Sequence, residues 1–279
     1  MANRLNMLPE DCVSTILSLT SAADACRFML ASSSLRSAAK SDLVWGKFLP
    51  SELSSILSRT HSQLNFSSKK ELYFKLCDSI LLDGGIRSFY LNKISGKKSF
   101  VLSSRALSIS LSNEPNHWTW SNHSASRFSE VIELKTTLSI EIEGKINTKD
   151  LSPNTTYGAY LIIQVSDRAF GLDSIASEIS VSKEECSVSN TAYLCPLDER
   201  KQQLESLLFM NRRRMMEKLV VEGEGRRPSM REDGWMEIEL GEFFVGQKNE
   251  EVQMKLMEVK GHQLKGGLII EGIEVRPKC

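Results

Sequence analysis

The sequence predicts an α+β chain, with a small helical domain at the amino terminus followed by an antiparallel β-sandwich or jelly-roll-like domain. Three observations carry this. Residues 8–49 show helix-period apolar positions punctuated by capping signals. From about residue 107 onward, apolar and polar residues alternate strictly in several separate runs. Helices do not alternate with these runs, which argues for antiparallel strands in a sandwich or jelly roll.

In the helical part, Pro9 suits a first helical position, and Glu10 and Asp11 favour the positive end of a helix. Val13, Ile16, Leu17 and Thr20 are read as one face. Ser21 and Asp24 fit a capping box opening a second helix through Ala25, Phe28 and Met29. Ser32, Ser33 and Ser34 interrupt it, and a third short helix runs near Leu35 to Lys40. Trp45, Phe48 and Leu49 supply bulky apolar anchors. Alone, this segment is too short to bury a full core, so a partner surface is expected. Residues 51–85 read as a helical connector, with Leu72, Leu76 and Ile80 spaced by four and Gly84 and Gly85 as its stop.

The strand signals follow in order: Leu107, Ile109 and Leu111, then Leu138, Ile140 and Ile142. Met236, Ile238 and Leu240, and Val252, Met254 and Leu256, repeat the pattern. AYLIIQV at 159–165 is apolar on both faces and reads as an inner strand. SPNT at 152–155 and KGG at 265–267 mark turns. Residues 183–231 interrupt the alternation: ERKQQLESLLFMNRRRMMEKL suggests an amphipathic helix, and GEGRRPSMRED a mobile loop.

The composition excludes several classes. Among the 279 residues, 35 basic side chains balance 35 acidic ones, so bulk charge gives no reason to expect nucleic acid or an anionic membrane. No apolar run approaches the roughly 20 residues of a membrane helix. The first residues lack the apolar stretch of a secretory signal, so a cytoplasmic or nuclear protein is expected. Six cysteines and four histidines lack C-x-x-C or metal-ligand clustering, so neither a metal nor another cofactor is expected. Ser124 beside His123 lacks an orienting acid, and GEG at 223–225 lacks a strand–turn–helix setting. No catalytic residue is assigned.

Two sets of motifs go further. LPEDCVSTIL at 8–17, DACRF at 24–28, SSSLRSAAKSDLVW at 32–45 and the following FLP resemble an F-box. KKSFVLSSRALSIS at 97–110, HWTW at 117–120, SRFSEVIEL at 126–134 and LSIEIEGKINTKDLSPNTTYGAYL at 138–161 resemble the phloem protein 2-like lectins of plants. So do REDGWMEIELGEFF at 231–244 and LKGGLIIEGIEVRPK at 264–278. The domains expected are 1–50 (F-box), 51–96 (connector) and 97–279 (lectin-like).

The first resemblance implies docking on the Skp adaptor of a cullin–RING ubiquitin ligase. It would use Leu8, Pro9, Val13, Ile16 and Leu17, supported by Trp45. The second implies a β-domain that contacts a target, glycosylated or not. Sugar-binding relatives stack aromatic rings on the sugar, and Trp118 falls where one such tryptophan lies. Leu111 and Leu264 stand where the resemblance expects two others, and Glu251 and Glu258 match carboxylates suspected of bonding sugar hydroxyls. Trp118 and Trp120 read equally as partly buried sheet aromatics, and the glutamates as solvated strand residues. The implied function is a non-catalytic, substrate-recruiting ligase subunit. The alternative is a nucleocytoplasmic lectin or protein-interaction module with no ligase role.

Overall fold

The computed structural model describes residues 8–173, 175–184, 186–196, 225–259, 261 and 263–278. The chain divides into two units, with the boundary between Val101 and Leu102. The expected helix at 199–219 lies outside the described residues.

The first unit begins with α1 (Glu10–Ser18), α2 (Ala22–Phe28) and α3 (Ser33–Ala38). The expected capping box is present: Ser21 Oγ accepts from the Asp24 amide at 3.0 Å and donates to its carboxylate at 2.8 Å. Ser32 starts α3 in the same way, accepting from the Leu35 amide at 3.2 Å. The stretch read only as bulky anchors is a fourth helix, α4 (Asp42–Phe48), capped by Ser41. It carries Trp45 into the middle of the unit, fully buried, with Nε1 donating to the Ala39 carbonyl at 2.7 Å.

The residues after α4 are more than a connector. Following α5 (Leu53–Ser58), α6 (Lys69–Cys77) places Tyr73 and Phe74 against Trp45 with ring centroids 5.3 and 5.4 Å apart. Leu72 and Leu76 of α6 are also buried. The missing share of the helical core therefore comes from within the chain. The helix stops at Cys77, not at Gly84: Ile80–Leu82 is strand β1, paired antiparallel with β2 (Arg87–Leu91). Gly84 and Gly85 make the turn between them with φ of +72° and +90°, a region only glycine enters without strain. Arg59 clamps this turn, giving two hydrogen bonds to Asp83 at 2.9 and 2.7 Å. β3 (Lys98–Ser103) follows.

The second unit is a pair of antiparallel sheets packed face to face. One runs β11 (Ser229–Met230), β12 (Met236–Val245), β8 (Thr155–Phe170), β14 (Gly266–Pro277), β6 (Val131–Leu134) and β5 (Trp118–Ser121). The other runs β10 (Cys186–Ala192), β9 (Ser177–Lys183), β13 (Glu251–Glu258), β7 (Ile140–Asn147) and β4 (Ser108–Ile109). The alternating runs bury one face each: Ile140 and Ile142, and Val252, Met254 and Leu256, all point into the sandwich. AYLIIQV lies in β8, an inner strand between β12 and β14. Gly144 lets the sheets approach, since a Cβ there would meet Ile273 Cδ1 at 2.9 Å.

Three local expectations are corrected. Leu111 leaves the strand pattern with φ of +60° and is exposed, and Leu138 precedes β7 and is also exposed. The alternation does not stop at residue 183, because β10 pairs with β9 along its whole length. The described part of the supposed loop, 225–233, is ordered by pairing: Arg226 bridges to Ala192, and Ser229 and Met230 pair with β12.

Candidate functional site

In the first unit, α1 decides what is offered to a partner. Successive helical residues are turned about 100° apart, so Ile16 and Leu17 cannot share one direction. Val13 and Leu17 point inward and are buried, as is Trp45. Leu8, Pro9 and Ile16 are exposed, and Ile16 keeps 43% of its surface in solvent. Cys12, one turn before Ile16, carries an exposed free thiol. The single docking face expected from the sequence is therefore two: Val13, Leu17 and Trp45 build the unit, and Leu8, Pro9 and Ile16 are presented by it. Sequence reasoning missed Leu19 and Leu30, more than four-fifths exposed where the chain leaves α1 and α2. Position at a helix exit was the available signal.

In the second unit, the residues expected to hold a sugar are not assembled. Trp118 is 3% exposed, and its Nε1 donates to the Ser110 carbonyl at 3.0 Å. Neither ring face is free, so Trp118 is a core residue and not a stacking platform. Glu258 is 2% exposed, ion-paired to Lys265 and hydrogen-bonded by the Gly261 amide at 2.9 Å. Lys265 gives further hydrogen bonds to the Leu138 and Gln263 carbonyls at 2.8 and 3.1 Å. Glu258 thus anchors the loop before β14 and has no charge to spare for a ligand. Glu251 is exposed and pairs with Lys145 at 3.4 Å. Seven residues separate the two glutamates on one strand, about 23 Å at the usual rise, and the odd spacing puts them on opposite faces. They do not share a site. Leu111 and Leu264 are exposed, offering aliphatic surface where the resemblance implies tryptophan.

Family profiles match in two blocks: F-box domain over residues 5–47 and Phloem protein 2 over residues 97–277. The F-box protein VBF of Arabidopsis thaliana is 52% identical, the alignment covering 98% of this chain and 99% of that one. The chain belongs to the phloem protein 2-type F-box proteins. The F-box protein PP2-B13 of Arabidopsis thaliana is 53% identical, with 97% of this chain and 98% of that one covered. Among solved structures, the GH26-CBM35 β-(1,4)-mannanase of Podospora anserina aligns with 65% of this chain and 28% of its own at 7% identity. Its TM-score of 0.32 is too low to argue from.

The sequence also gave no warning of a charged network on the outer face of β12, β8 and β14. Arg231 binds Glu237 and Glu274 at 2.6 Å each, and Arg276 binds the same two carboxylates at 2.6–2.8 Å while lying over the Tyr160 ring. Burial pushes the Glu237 pKa up, but hydrogen bonds and charge from Arg276 and Arg231 outweigh it and hold the group below its usual value. Nearby, Glu271 accepts from the Ser126 hydroxyl and the Arg127 amide at 3.1 and 2.9 Å, tying the 122–128 loop to β14. Trp120, in contrast to Trp118, is half-buried, and the Arg105 guanidinium covers its ring at 3.5 Å. Each of these groups is held by a neighbour, although the second carboxylate oxygen of Glu271 is buried without a hydrogen-bond partner. Among the described residues no cluster of His, Cys, Asp and Glu could hold a metal ion.

Proposed function

We propose that this protein is the substrate-recruiting subunit of a Skp–cullin–F-box ubiquitin ligase. Its first unit would dock on the Skp adaptor and its second would hold the target. The observation that carries this reading is the division of labour on α1. Val13 and Leu17 complete a core together with Trp45 and α6, yet Leu8 and Ile16 stay in solvent. A helical unit with a finished core and leftover apolar side chains on its first helix is suited to helix-mediated docking. Membership in a family named for the F-box supports the same partner. The protein needs no catalytic residue in this role: it works by proximity, in the cytoplasm or nucleus, holding a target near a ubiquitin-loaded enzyme.

The test is co-elution of the full chain with a purified Skp adaptor in size-exclusion chromatography. Wild type is expected to form a stoichiometric complex, and Leu8→Asp/Ile16→Asp to elute separately while still folded. A double variant that co-elutes like wild type would refute docking through α1.

A further inference from the structure

The β-unit carries an apolar patch at one end, made by loops and strand ends. Leu138, Phe170, Ile175, Val259 and Leu264 each leave between 37% and 56% of their surface exposed. Backbone geometry brings them together. Thr137 and Lys265 pair as an isolated bridge, with hydrogen bonds of 3.0 and 2.8 Å, which sets Leu138 beside Leu264. Phe170 is opposite Gly266, and the following Gly171 packs so closely that a Cβ there would lie 2.3 Å from the Leu264 carbonyl oxygen. On the other side, a Cβ on Gly261 would lie 3.2 Å from Ile175 Cδ1 and 2.7 Å from Glu258 Oε1, the residue before Val259. The Glu258–Lys265 pair lies beneath and neutralises itself. A cavity of about 260 Å³ opens next to Val259, with Ala176 and Met257 as apolar lining and Glu178, Ser189, Asn190 and Thr191 as polar lining.

The geometry points to this patch as the target-docking site, and to its occupant as a short apolar peptide segment of the target protein. The assignment rests on the adaptor reading for its biological sense. Size selects the occupant. Five half-exposed side chains offer on the order of 400 Å², about half of the roughly 800 Å² per partner that a specific protein–protein interface buries. That is too little for a stable pair of copies of this chain and enough for a few residues of extended peptide. The cavity is smaller than the roughly 300–1,000 Å³ of small-ligand pockets, and it suits a single anchoring side chain. Four of the five side chains are aliphatic, a surface that buries apolar side chains well, and Phe170 is the one aromatic ring among them.

The test is selection of a phage-displayed random dodecapeptide library on the immobilised full chain, followed by affinity measurement of the winning synthetic peptides. Leu138→Asp/Leu264→Asp serves as comparison, and the milder Leu264→Ser as a second variant should the double one misfold. Peptides with two or three spaced apolar residues are expected, binding the double variant at least tenfold more weakly, with Skp co-elution unchanged. The proposal is overturned by peptides lacking apolar residues, or by affinities that stay within twofold in both variants. It is equally overturned if N-acetylglucosamine oligomers bind the patch in place of peptides, or if wild type dimerises through Leu264. Peptide binding by a chain that fails to bind Skp would sink the adaptor reading and leave the docking site standing.

Discussion

The helical unit and the β-unit use similar apolar residues in opposite ways. On α1 the residues marked by the family motif divide between core and surface: Leu17 is buried and its neighbour Ile16 is exposed. In the β-unit the motif tryptophan, Trp118, goes wholly into the core. The exposed apolar side chains include Leu138 and Phe170, which the sugar-binding resemblance does not mark, beside Leu111 and Leu264, which stand where it expects tryptophan. A helix only nine residues long cannot hide every apolar side chain it carries, because its buried stripe spans only part of its circumference. A β-sandwich can hide a whole face of each strand, so what it leaves exposed collects in loops and strand ends.

This contrast is breakable by mutation. The largest effects should fall on the two buried tryptophans. Trp45→Ala and Trp118→Ala should each cost about 3–5 kcal/mol by chemical denaturation, the first in the helical unit and the second in the β-unit. Trp120→Ala should cost far less, since that ring is half in solvent and loses mainly its contact with Arg105, about 0.5–1 kcal/mol. Equal losses at Trp118 and Trp120 would mean that Trp118 is not the core residue described.

The Glu258–Lys265 pair sharpens the assignment of Glu258 to structure. Lys265→Met leaves a buried carboxylate without its partner and should destabilise the chain by about 3–5 kcal/mol. Adding Glu258→Leu should recover most of that loss. A double variant no better than the single one would show that Glu258 has other duties.

The outer-face network should show in acid. The Glu237 pKa lies below its usual value in the folded chain, so its contribution to stability is complete above about pH 4.5 and is lost as pH falls further. Glu237→Gln should lower stability at neutral pH, where that contribution is complete, and the gap to wild type should close as pH falls, flattening that part of the acid-unfolding profile. An unchanged acid limb would remove Glu237 from the account.

How much of this was legible beforehand follows from the same physics. Period-two runs such as Val252, Met254 and Leu256 name a buried face without any tertiary knowledge, and all three are buried. The capping box at Ser21 and Asp24 is equally local and is present as read. The end of α6 was misplaced because Leu72, Leu76 and Ile80 keep helical spacing, while pairing with β2 draws Ile80 into a strand. The two-way split on α1 was available from helical geometry, since adjacent Ile16 and Leu17 cannot face one way. So was the separation of Glu251 from Glu258, seven residues apart on one strand. The burial of Trp118 was legible only as one of two readings: the choice between core and surface needs the folded sheet, which brings its Nε1 to the Ser110 carbonyl. The patch around Leu264 was also hidden, because its members come from segments far apart in sequence.

The most direct test of the central claim is calorimetric titration of a purified Skp adaptor into the full chain, comparing wild type with Ile16→Ala and Leu17→Ala. Thermal unfolding of each variant is measured alongside. The account predicts that Ile16→Ala weakens binding by about tenfold or more, corresponding to roughly 1.4–2 kcal/mol, with almost no change in stability. Leu17→Ala should instead lose about 2–5 kcal/mol of stability, and the fraction that remains folded should bind nearly as wild type does. Full affinity in Ile16→Ala, or a folded Leu17→Ala that no longer binds, would contradict the division of α1 into a face that builds the unit and a face that docks it.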